Sequence, residues 1–138
     1  MLKGLRTVSV LLATMLCVFA AYALLRAPVF ENGLYYELYC GTSSAEIVLS
    51  ENPALTKLVR LDVRGESVRY GGNRYEELKE KYAAELLFTE EAAGVVNYYL
   101  YSKKLPEGVW LNGKKINLHI AVSEEQTAAG TPIIFGGF

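Results

Sequence analysis

One histidine, two cysteines and 10 tyrosines are the residues of this 138-residue chain that offer chemistry beyond simple charge. A thiol within reach of an imidazole makes a nucleophile and its general base, and Cys40 with His119 is the pair available for that role. Their spacing gives no reason for them to meet, and no orienting acid is implied. The ordinary alternatives are a strand position for His119 and a small half-buried site beside Gly41 for Cys40. A single histidine excludes a multi-histidine metal centre within one chain, and two cysteines exclude a four-cysteine one. The acidic pairs Glu90-Glu91 and Glu124-Glu125 fall in expected loops, where solvation accounts for them. They follow no calcium-loop pattern, and nothing pairs two carboxyls across a cleft. Gly71-Gly72, ahead of an expected helix, could cradle an anion on backbone N–H groups. It matches neither a Walker loop nor a dinucleotide fingerprint and reads as a turn that ends a strand. No cofactor is expected.

The tyrosines say more. In Val95–Tyr101 strand alternation turns Tyr98 inward with Val96 and Leu100, and sets Tyr99 and Tyr101 with Val95 and Asn97 on the other face. Exposed tyrosine on a sheet suits contact with a protein or a sugar, because each ring brings large area at low entropic cost. Cross-strand packing beneath a loop is the alternative. Tyr99 and Tyr101 are therefore the candidate binding residues, and replacing both by Ala is expected to weaken partner capture while sparing stability.

Such rings need a sheet to hold them. Asn32-Gly33 is a turn, and Leu34–Cys40 and Ala45–Leu49 read as strands, with Asn52-Pro53 marking the turn beyond. Val59, Leu61 and Val63 alternate with Arg60, Asp62 and Arg64. This predicts a strand that Gly65 interrupts as a bulge and that Val68 and Tyr70 continue. Asn73, followed by Glu76 in the capping-box position, predicts a helix to about Ala83, with Tyr75, Leu78 and Tyr82 on one stripe and Glu77 paired with Lys81. Ala84–Thr89 and Val95–Tyr101 flank a five-residue connection. Val109–Leu111 and Lys114–Val122 flank Asn112-Gly113, the strongest short hairpin signal in the chain, with Asn117, His119 and Ala121 on one face of the second arm. A loop from Glu124 to Gly130 and a last strand, Thr131–Phe135, complete the pattern. The sum is an α+β domain, a mostly antiparallel curved sheet packed on one helix. One short helix cannot cover such a sheet, so the remainder must curl or be buried against a partner.

Residues 1–30 are a different material. Val8 to Leu25 carries no charge, with Lys3 and Arg6 before it and Arg26 after. This predicts either a membrane anchor formed by residues 8–25 or a signal peptide cut after Ala23, with the basic end retained in the cytoplasm and residues 31–138 exported. Of the 14 basic residues only Lys3, Arg6 and Arg26 precede residue 31, and none of the 15 acids does, so the exported part has a net charge of −4. That balance, with Arg60, Arg64, Arg69 and Arg74 interleaved among acids, argues against nucleic-acid binding. Cys40 is the only cysteine beyond residue 30, so no disulfide can form inside that part.

Four segments behind the apolar stretch carry a family likeness: Gly65-Glu66-Ser67-Val68, Tyr98-Tyr99-Leu100-Tyr101-Ser102, Asn117-Leu118-His119-Ile120-Ala121-Val122 and Gly130-Thr131-Pro132-Ile133-Ile134-Phe135-Gly136. Together they resemble a group of short, uncharacterised exported proteins of Firmicutes, in turn similar to YwmB-type proteins, whose fold is likened to that of TATA-box-binding protein. Over most of residues 58 to 138 the resemblance implies a curved sheet; it implies no site residues. The expected role is a non-enzymatic interaction module of the cell envelope, tethered to the membrane and meeting an unidentified envelope protein. The alternatives are a Cys/His hydrolase or transferase, and a carrier of a small ligand or lipid with an apolar pocket not filled by Tyr75, Leu78 and Tyr82.

Overall fold

In the computed structural model, which describes residues 1–41 and 46–136, alternating apolar residues bury one side of several strands, and those sides share a single core. The elements in order are α1 (Leu2–Leu25), β1 (Tyr35–Cys40), β2 (Glu46–Ser50), α2 (Pro53–Val59), β3 (Val63–Gly71), α3 (Tyr75–Lys81), β4 (Glu85–Ala92), β5 (Val95–Tyr101), β6 (Val109–Leu111), β7 (Lys114–Ile116), β8 (Leu118–Val122) and β9 (Gln126–Thr131). Seven strands form one antiparallel sheet, curved but not closed, in the order β2-β1-β3-β9-β8-β5-β4, and β6–β7 is a separate hairpin. The expected start of β2 at Ala45 lies outside the described residues.

The core face carries Tyr36, Val68, Tyr70, Leu100, Leu118, Ile120, Val122 and Ala129, and is closed by Tyr75 and Leu78 of α3, Tyr82 just beyond it, and Phe30. Tyr75 stacks on Tyr98 at 3.9 Å between ring centroids, and Tyr82 meets Phe30 edge-on at 5.8 Å. The buried hydroxyls find partners, as burial demands: Tyr82 donates to the Val29 carbonyl (2.7 Å) and Tyr70 to that of Glu31 (3.0 Å). Asn73 Oδ1 accepts from the Tyr75 N–H at the start of α3. Glu77 bonds Arg74 and Lys81 bonds Glu31, in place of the expected Glu77–Lys81 pair.

Several expected boundaries are corrected. The turn at Asn52-Pro53 opens a helix: Asn52 Oδ1 accepts from the Leu55 N–H at 3.2 Å and Pro53 occupies the first turn, both helix-start devices. Val59 therefore ends α2, and β3 begins only at Val63. The bulge falls on Arg64, because Tyr39 faces Gly65 while Cys40 faces Val63. Ala93-Gly94 and Asn112-Gly113 both take positive φ, closing their hairpins with two residues each, so the five-residue connection shrinks to two. The arm expected to run unbroken from Lys114 to Val122 divides at Asn117. That side chain is buried, donating to the carbonyls of Ser102 (2.7 Å) and Pro106 (3.0 Å) and accepting from the Ser102 N–H (2.7 Å).

The largest correction concerns the chain after residue 124. The expected loop to Gly130 and strand Thr131–Phe135 change places: Gln126–Thr131 is β9 at the centre of the sheet, and 132–135 is a strap laid across the second face. Phe135 stacks on Tyr39 with centroids 4.0 Å apart, and the Ile134 N–H donates to His119 Nδ1 at 3.3 Å. Of the two expected ways to complete the sheet, curling or a partner, the structure shows the curl, and the chain's own strap covers part of the second face.

α1 is long and apolar enough to cross a membrane, and none of its residues is buried. Its last turn is bonded to α2. The Tyr22 hydroxyl donates to the Leu58 carbonyl (2.8 Å), and the Arg26 guanidinium to the carbonyls of Lys57 (2.9 Å) and Arg60. Carbonyls at the end of a helix lack partners within it, and α1 supplies donors for those of α2.

Candidate interaction surface

β5 positions both nominated tyrosines, and the structure gives them different surroundings. Tyr99 stands opposite Phe88 on β4 and His119 on β8. It stacks on both at 4.5 Å, with interplanar angles of 18° and 16°, and its hydroxyl donates to Glu90 Oε2 at 3.2 Å. Partial burial, with the Glu90 carboxylate second, pushes the Tyr99 phenol up from its ordinary value. Tyr99 is thus the middle ring of a three-ring ladder.

His119 completes that ladder. A backbone N–H can only donate, so Ile134 fixes Nδ1 as the acceptor, and Nε2 then carries the proton toward Asn97 Oδ1 at 3.0 Å. Burial pushes the imidazole down to about 4, so at neutral pH it is uncharged. Cys40 lies on β1, and β3 and β9 intervene between it and β8. Three strand spacings separate the two strands by about 14 Å, far beyond the reach of proton transfer. Cys40 is fully buried and, chiefly for that reason, its thiol is pushed up, the reverse of an activated nucleophile.

Tyr101, two residues on from Tyr99, faces an open groove of about 440 Å³ shared with Glu85, Leu87, Trp110 and Lys114. Trp110 projects from the β6–β7 hairpin and is 74% exposed. The Lys114 ammonium donates to the Leu87 carbonyl at 2.8 Å, and Lys115 meets Glu107 at 3.3 Å, so two cations stand at the rim. The groove adjoins β4, which among the described residues is an edge strand of the sheet. Trp110 was missed in the sequence. The available signal was its place on a three-residue arm beside Asn112-Gly113, where alternation sets it opposite Val109 and Leu111.

The remaining candidates are occupied by the fold. The Gly72 N–H donates to the Glu125 carbonyl and the Gly72 carbonyl accepts from Thr127, which knits the Gly71-Gly72 turn to β9. Tyr75, Leu78 and Tyr82 fill the space between α3 and the sheet where an apolar cargo would sit. Among the described residues no group of three His, Cys, Asp or Glu side chains is placed to hold a metal ion. No protein-family model, curated protein or solved structure matches the chain.

Proposed function

We propose that the chain is a membrane-anchored, non-enzymatic protein-interaction module of the cell envelope. α1 spans the bilayer through residues 8–25 with Lys3 and Arg6 on the cytoplasmic side, and residues 31–138 stand outside it. The observation that carries the reading is the groove where the exposed Trp110 meets the half-buried Tyr101 beside the β4 edge. Large aromatic rings at the centre of a groove are the residue types that dominate contact energies, and a strand edge offers an extended segment the backbone groups not already taken, as the Leu87 carbonyl is by Lys114. Lys114 at the rim, bonded to a neutral carbonyl, favours an acidic one. The distance from Cys40 to His119 supports the non-enzymatic part, and the acidic charge of the body speaks against a nucleic-acid partner.

The test is photo-crosslinking in living cells, with the full chain carrying a photoreactive residue at position 110 and, as control, at Glu124. A discrete protein adduct from position 110 that disappears on Tyr101→Ala supports the reading. Equal labelling from both positions, or none from 110, sinks it.

A further inference from the structure

We infer that α2 and the turn after it are seated in the lipid headgroup layer of the leaflet from which α1 emerges, holding the body flat on the bilayer. The inference rests on the reading of α1 as a membrane span.

The join between helix and body has no slack. Tyr22 and Arg26 bond the carbonyls of Leu58, Lys57 and Arg60, and the Lys57 ammonium returns to the Ala27 carbonyl at 2.9 Å. The next backbone N–H groups, of Val29 and Phe30, are held by Glu66 Oε1 at 2.8 and 2.9 Å. Every step from α1 to the core is therefore fixed, and the body cannot swing on a flexible tether.

That join also sets a depth. Tyr22 lies inside the uncharged run Val8–Leu25, and from there to Arg26 a helix rises only about 6 Å. The carbonyl that Tyr22 touches belongs to Leu58, so the end of α2 lies level with the last turn of α1. Tyrosine at this depth is where phenols sit in membrane spans, with the ring in the acyl boundary and the hydroxyl among polar groups.

Composition agrees with depth. Leu55 and Val59, four residues apart on one side of α2, are 59% and 74% exposed, and Leu61 in the turn is 75% exposed. The charged residue of the helix, Lys57, points inward to Glu66. In water this arrangement is inside out, with apolar side chains facing solvent and the cation facing the protein. In the interfacial layer it is the stable orientation. Beside the apolar trio the guanidinium of Arg60 bridges Asp62 and Glu46, so one cation offsets part of the charge with which the two acids would repel anionic headgroups.

The test uses the full chain in phosphatidylcholine vesicles containing phosphatidylglycerol, with bromine on the lipid tails near the carbonyls as a fluorescence quencher. In a Trp110→Phe background, single tryptophans replace Val59, Leu61, Phe19 or Glu124. The inference expects quenching at 59 and 61 to exceed that at 124 by roughly threefold or more, alongside strong quenching at 19. Quenching at 19 with none at 59 or 61 overturns the docking and leaves the anchor standing. No quenching at 19 removes the anchor, and the docking with it. A shielded but unquenched probe at 59 or 61, dependent on protein concentration, would reveal a second copy on this face and also overturns the inference.

Discussion

Lys57 reaches inward from α2 to set its ammonium 2.7 Å from Glu66 Oε2, with the two side chains only 12% and 2% exposed. The other oxygen of Glu66 accepts the N–H groups of Val29 and Phe30, so one carboxylate ties α2, β3 and the segment after α1 together. Removing one member of a buried ion pair leaves the other charge uncompensated. Lys57→Met is expected to cost about 3 kcal/mol, most of it recovered in the double variant Lys57→Met/Glu66→Gln. Denaturant unfolding of the full chain in detergent measures both; a single variant as stable as the parent contradicts the assignment.

His119 links stability to pH. Its imidazole is pushed from an ordinary value near 6.5 down to about 4, so the folded state prefers the neutral form. The unfolded chain therefore binds the proton first as pH falls. The stabilisation is complete above about 6.5 and is lost progressively as pH drops through the folded value. Protonation also removes the Nδ1 lone pair that holds Ile134. The melting temperature should fall between pH 6.5 and 5, above the range where carboxylates dominate, and His119→Phe should flatten that slope. An unchanged slope in the variant would assign it elsewhere.

How much of this was legible depended on whether a signal was local. β1 and β5 announce themselves by aromatic and β-branched alternation, and Asn112-Gly113 by the positive φ that its turn requires. α2 was hidden because Pro-Ala-Leu-Thr-Lys-Leu-Val adjoins a genuine alternation, and the outward Leu55 and Val59 are not the residues a soluble helix exposes. β9 was hidden for the opposite reason. The middle of Gln126–Thr131 is Ala128-Ala129-Gly130, residues with weak strand preference, and the segment is a strand because β3 and β8 pair with it on both sides. A Cβ on Gly130 would lie 2.5 Å from the Ile133 carbonyl oxygen. In the candidate site Tyr101 was legible by alternation. The company of Tyr99 was not, since the register that brings Phe88 and His119 to it is long-range.

Gly65 marks where the strap presses closest. A Cβ there would stand 2.3 Å from Phe135 Cε2 and 3.1 Å from the Thr131 carbonyl oxygen. Gly65→Ala should therefore lift residues 132–136 from the sheet at a cost of about 1–3 kcal/mol. Phe135→Ala makes room for the methyl, so the two changes together should cost less than their sum. Limited proteolysis between 132 and 136 reads the lifting directly, and additive costs would show that the ring is not the obstacle.

Tyr99 and Trp110 separate folding from binding. Tyr99→Ala removes the middle of the Phe88–Tyr99–His119 stack and its bond to Glu90, and should destabilise by about 1–3 kcal/mol. Trp110, with 74% of its surface in solvent, should change stability by no more than about 0.5 kcal/mol when replaced by Ala. The two variants should behave in opposite ways, Tyr99→Ala lowering the melting temperature and Trp110→Ala lowering adduct yield at a photoreactive residue placed at Tyr101. The expectation that both nominated tyrosines could be removed without a stability cost is thereby narrowed to Tyr101. Thermal melts of Tyr99→Ala and Tyr101→Ala side by side decide it, and equal melting temperatures would mean that the three-ring ladder contributes nothing to the fold.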